Sequence, residues 1–89
     1  ADGLAAPSTG RACFEIAKDR VKEMLLVTDE QITEALLLLM ERCKLYAEPA
    51  GAAALAGLLA NKDTLPAGSN IVCVVSGGNL DPARLKQLL

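Results

Sequence analysis

The fold reading turns on Asn70-Ile71-Val72-Cys73-Val74-Val75-Ser76-Gly77-Gly78-Asn79. Five apolar residues follow one another here without polar alternation, and four of them are β-branched. That pattern is expected of a strand buried on both faces, as in a parallel sheet. The run stops at Ser76-Gly77-Gly78-Asn79. Asp81-Pro82 then opens a helix, with Asp81 as cap and Pro82 in the first turn.

Upstream, Met24-Leu25-Leu26-Val27 reads as a second short buried strand. It ends at Thr28-Asp29-Glu30-Gln31, where Thr28 and Gln31 have capping-box spacing. The helix predicted over 29–44 carries Ile32, Ala35, Leu36, Leu39, Met40 and Cys43 on one stripe, which Leu37 and Leu38 widen. Residues 45–47 read as a connector, and Glu48-Pro49 opens a further helix. Residues 50–60 are all Ala, Gly or Leu, so this helix is expected to be buried on nearly all sides. Gly51 and Gly57 each cost about 1 kcal/mol relative to Ala in a helix; close packing is the expected compensation. Residues 11–21 have helical spacing, and residues 1–10 and 61–69 read as loops. The predicted class is α/β, a parallel layer of two strands and about four helices. Two strands cannot make a sheet covered on both faces, so a larger assembly is expected.

Composition narrows the chemistry. The chain has 89 residues, nine Lys plus Arg against eleven Asp plus Glu, and a net charge of −2. A nucleic-acid footprint needs clustered positive charge and, for single strands, aromatic platforms. Phe14 and Tyr46 are the only aromatic residues. There is no His, which removes His-based triads and His–zinc sites. Fifteen Ala and sixteen Leu mark a core-building, aliphatic chain. Cys13, Cys43 and Cys73 lack paired spacing and read as reduced thiols, with Cys73 as inert packing. Residues 49–60 are uncharged but fewer than the roughly 20 a membrane helix needs. No signal peptide is read, and the expectation is a soluble, cytoplasmic protein. The opening Ala1-Asp2-Gly3 has the character of an internal segment, which hints at truncation or processing.

In parallel α/β sheets, ligands bind beyond the carboxyl ends of strands. Ser76-Gly77-Gly78-Asn79 sits at such an end: Ser76 offers a neutral hydroxyl, and the glycines permit close approach and positive φ. The same residues also make an ordinary tight connection. Glu48 could act as a catalytic carboxylate, but an acid at a helix start more simply complements free amides.

Four segments carry a resemblance. Ala1-Asp2-Gly3-Leu4-Ala5, Val27-Thr28-Asp29-Glu30-Gln31-Ile32, Glu48-Pro49-Ala50-Gly51-Ala52-Ala53 and Ser76-Gly77-Gly78-Asn79 follow one another in this order. Together they resemble the threonine dehydratase and serine racemase family of pyridoxal-phosphate (PLP) enzymes, of fold type II. The resemblance implies that residues 1–89 are the C-terminal part of the catalytic domain. It implies that Ser76 hydrogen-bonds the pyridine nitrogen of the cofactor, with Gly77, Gly78 and Gly3 close to the ring. It also places Asn79 where some members contact a regulatory nucleotide.

The family's Schiff-base lysine and its phosphate-binding glycine run have no counterpart here, so no catalytic residue is assigned. The expected function is a PLP-dependent ammonia-lyase converting threonine or serine to a 2-oxo acid and ammonia. This chain would be inactive without the N-terminal remainder of the enzyme. Its partners would be that remainder, further copies in a homo-oligomer and the amino-acid substrate, with no nucleic acid, membrane or metal. Racemase or threonine synthase chemistry on the same fold stays open, as does a non-catalytic α/β interaction or regulatory module.

Overall fold

The capping box read at Thr28 is formed. Thr28 Oγ1 accepts the Gln31 amide hydrogen at 3.1 Å, and Gln31 Oε1 accepts from the Thr28 amide at 2.9 Å. Two amides that a helix start leaves orphaned are thereby satisfied. A computed structural model describes all of residues 1–89 and contains four α-helices. These are α1 (Arg11–Ala17), α2 (Asp29–Cys43), α3 (Pro49–Asn61) and α4 (Pro82–Leu88), with 3-10 turns at Asp2–Leu4 and Lys62–Thr64.

Helix α2 ends where Lys44 adopts a left-handed conformation, φ 58°. The Lys44 and Leu45 amides both turn back to the Leu39 carbonyl. That reversal leads within five residues into α3, which has Pro49 at its first position. The short link brings α2 and α3 face to face. Ile32, Ala35, Leu36 and Leu39 of α2 meet Ala52 and Ala56 of α3, and Ala47 and Leu80 complete the buried cluster. The small α3 side chains let the two helix backbones approach. Leu36 is the largest fully buried side chain. Asp81 Oδ1 caps α4 by accepting the Arg84 amide hydrogen at 2.8 Å, and Leu85 and Leu88 lean on the same cluster.

The α/β expectation is overturned: the structure contains helices and no strand or sheet. No backbone–backbone hydrogen bond involves residues 22–27 or 70–75. A strand needs a neighbour to take its N–H and C=O groups, and neither run finds one. Both leave apolar side chains in water, with Leu26 96 %, Val72 89 % and Met24 82 % exposed. Cys73, read as buried packing, is half-buried, its thiol facing the Ala54 carbonyl at 3.8 Å.

Two smaller expectations also change. Helix α3 buries only Gly51, Ala52 and Ala56, because α2 covers one of its sides and nothing comparable covers the others. Helix α1 stops at Ala17, short of residue 21, and buries none of its residues. Nine of 89 residues are buried, and the chain measures 40 × 34 × 19 Å. Its radius of gyration, 14.2 Å, exceeds the roughly 12 Å expected of a packed domain of this length. The molecule is a thin slab. No helix is long and apolar enough to cross a membrane.

This distribution of burial predicts sharply unequal mutational costs. Leu36→Ala should destabilise the chain by about 2–5 kcal/mol. Leu26→Ala should change stability by less than about 0.5 kcal/mol. Urea unfolding midpoints for the two variants measure the difference; equal effects would contradict the α2–α3 core.

Candidate functional site

The α3 start and the turn after residue 75 meet backbone to backbone. The Glu48 amide donates to the Gly77 carbonyl at 3.0 Å. The Tyr46 hydroxyl donates to the Leu80 carbonyl at 2.5 Å. Within the turn, the Leu80 amide returns to the Gly78 carbonyl at 2.9 Å, and the buried Leu80 side chain anchors its far end.

Glycine is required here by space. A Cβ on Gly51 would lie 2.5 Å from the Gly77 carbonyl oxygen and 3.1 Å from the Gly77 nitrogen. A Cβ on Gly77 would collide with Glu48 Oε1, and one on Gly78 with the Tyr46 carbonyl oxygen. Neither Gly77 nor Gly78 has a positive φ; Gly68 is the one glycine that does. The conformational reason expected for the paired glycines therefore does not apply. Their bare faces are filled by this chain's own residues 46 and 48.

The N-terminal turn joins the same junction. A Cβ on Gly3 would sit 2.7 Å from Ala50 Cβ. Between the three segments lies a cavity of about 140 Å³, lined among others by Asp2, Gly3, Glu48, Asn79 and Arg84. Two carboxylates thus share it with one guanidinium. Small-molecule pockets run from about 300 Å³ upward, so this cavity alone does not enclose a nucleotide.

Of the residues read as site residues, Gly3 and Asn79 line this cavity, while Ser76, Gly77 and Gly78 do not. Ser76 is exposed, one peptide before the clamped Gly77 carbonyl. Glu48 occupies the N-cap of α3, but its side chain makes no capping hydrogen bond; its amide, rather than its carboxylate, holds the turn.

Tyr46 was legible only as part of a connector. Its being one of two aromatic residues in 89 was the available signal. Gly51 and Gly57 looked alike in sequence, yet a Cβ on Gly57 would meet nothing within 4 Å. Close packing explains the first glycine and not the second.

Residues 1–77 match the sequence profile of the pyridoxal-phosphate dependent enzymes. The chain belongs to that family. Among its relatives, the biosynthetic L-threonine dehydratase IlvA of Lactococcus lactis is 39 % identical over 99 % of this chain and 21 % of its own length. The L-threonine ammonia-lyase of Thermotoga maritima is 38 % identical over 100 % of this chain and 22 % of its own. That of Geobacter sulfurreducens is 47 % identical over 91 % of this chain and 20 % of its own. The chain thus spans about a fifth of the length of these relatives. No solved structure matches it.

The two glycines of α3 predict opposite effects on stability. Gly57→Ala should stabilise the chain by about 1 kcal/mol through helix propensity alone. Gly51→Ala should destabilise it, because the added methyl overlaps the Gly77 peptide and overpacking costs about 1–3 kcal/mol. Thermal unfolding of both variants measures the sign; a Gly51→Ala chain stabilised like Gly57→Ala would contradict the close approach.

Proposed function

We propose that residues 1–89 are the C-terminal part of the catalytic domain of a PLP-dependent threonine ammonia-lyase. One observation carries the reading: relatives named threonine dehydratase or threonine ammonia-lyase align with 91–100 % of this chain at 38–47 % identity. The proposed reaction eliminates water from threonine or serine, and the resulting imine then takes up one water as its C=N bond is hydrolysed, giving a 2-oxo acid and ammonia. The complete enzyme is proposed to be a cytoplasmic homo-oligomer. Membership in an enzyme family weighs against a non-catalytic interaction module.

The residues present suit one edge of the cofactor. When bound, PLP supplies an electron-withdrawing ring that drains charge from the substrate's Cα. Ser76, exposed at the start of a backbone-clamped turn, carries a hydroxyl that can donate to a ring nitrogen or accept from it. A carboxylate in its place would hold a proton on that nitrogen. A neutral partner leaves a milder sink, which suffices to expel a β-hydroxyl. Gly3 lines the neighbouring cavity and adds no side-chain bulk there, whereas the bare faces of Gly77 and Gly78 are already occupied by Glu48 and Tyr46. The family's Schiff-base lysine segment and phosphate-binding glycine run have no counterpart in residues 1–89, so covalent attachment and phosphate binding are assigned to polypeptide outside this chain.

Substitution of Ser76 in the full-length polypeptide tests the assignment. Loss of one hydrogen bond to the ring is worth about 1–3 kcal/mol, so Ser76→Ala should lower kcat roughly 5–150-fold. Ser76→Asp should shift the absorbance of the bound cofactor by changing the ring's protonation. Unchanged turnover and absorbance in both variants would remove Ser76 from this role.

A further inference from the structure

We infer that Tyr46 and Gly51 are positioning residues that set where Ser76 stands, acting through the 77–80 turn; this rests on the proposed function. The Gly77 nitrogen and the Ser76 carbonyl belong to one planar peptide unit. Whatever displaces that nitrogen displaces the backbone of Ser76. The bare Cα of Gly51 faces this peptide, and a methyl there would come within 2.5 Å of the Gly77 oxygen and 3.1 Å of its nitrogen.

These neighbours are backbone atoms on both sides, with no flexible side-chain end to yield. On one side Gly77 is tied by its carbonyl to the Glu48 amide at the first turn of the same helix. On the other, the turn is pinned by the Tyr46 hydroxyl on Leu80 and by the Tyr46 carbonyl packed against Gly78. Tyr46, Glu48 and Gly51 fall within six consecutive residues, so one short segment clamps the turn from end to end. Neither Tyr46 nor Gly51 need touch the cofactor to matter. A misplacement of about 1 Å at a reacting centre can cost about a hundredfold in rate.

The test uses the full-length holoenzyme with Gly51→Ala, Tyr46→Phe and, as the matched control in the same helix, Gly57→Ala. Each variant is assayed for far-UV circular dichroism, PLP dissociation constant, absorption maximum of the bound cofactor, kcat and KM. Gly51→Ala should raise the PLP dissociation constant at least about tenfold, shift the absorption maximum and lower kcat up to about a hundredfold. Tyr46→Phe should move the same quantities in the same direction by less, and Gly57→Ala should leave them unchanged.

A Gly51→Ala enzyme that is merely less heat-stable, with cofactor affinity and spectrum equal to those of Gly57→Ala, overturns the inference. Where Gly51→Ala fails to fold, Tyr46→Phe decides, and wild-type affinity and spectrum there overturn it as well. A wild-type enzyme that binds no PLP overturns the proposed function itself, a result distinct from either.

Discussion

A single backbone contact, the Glu48 amide on the Gly77 carbonyl, joins the two halves of this chain at its candidate site. Without it the turn that follows residues 70–75 would hang from one end. With it, the residues that open α3 and the residues that close the turn become one unit. The contact imposes a steric rule on its surroundings: Gly51 must lack a side chain for the helix to come this near. It also imposes a packing rule, since Leu80 must reach the α2–α3 cluster for the turn to close. The hydrophobic core and the candidate site therefore share α3 and the 77–80 turn.

The small core and the exposed apolar residues belong to one picture. Nine buried residues cannot shelter the aliphatic content of this sequence, and Leu26 and Val72 stand almost fully in water. Apolar surface exposed on this scale is more than a monomeric soluble domain ordinarily leaves uncovered. The relatives run to about five times the length matched here. Apolar exposure and relative length are independent observations, and both support reading the chain as part of a longer polypeptide.

Local chemistry was legible in the sequence, and pairing across distance was not. Thr28 with Gln31, Glu48-Pro49 and Asp81-Pro82 each marked a helix start correctly, because caps are decided within four residues. The apolar stripe of α2 found its partner from Ile32 to Leu39, while Cys43 at its end and Leu38 beside it stand exposed. The run from Ile71 to Val75 encodes a need for apolar cover, yet a ladder forms only where a second strand is present, and here none is. The composition of α3 likewise registered apolarity without saying which faces a neighbour would cover. Gly51 and Gly57 are the plainest case: the same residue in the same helix, separated in meaning by where residue 77 happens to lie. The order of four short motifs pointed to the family, and the match over residues 1–77 agrees with it. The contribution of Tyr46 depends on a partner 34 positions away and had no local signature.

The most direct measurement is the through-hydrogen-bond scalar coupling between the Glu48 nitrogen and the Gly77 carbonyl carbon, recorded by NMR on the uniformly labelled chain. A resolved coupling is expected, together with a Glu48 amide that exchanges slowly with solvent. No detectable coupling, with exchange at the rate of an open loop, would mean that the turn is not seated on α3, and the geometry built on it would fall.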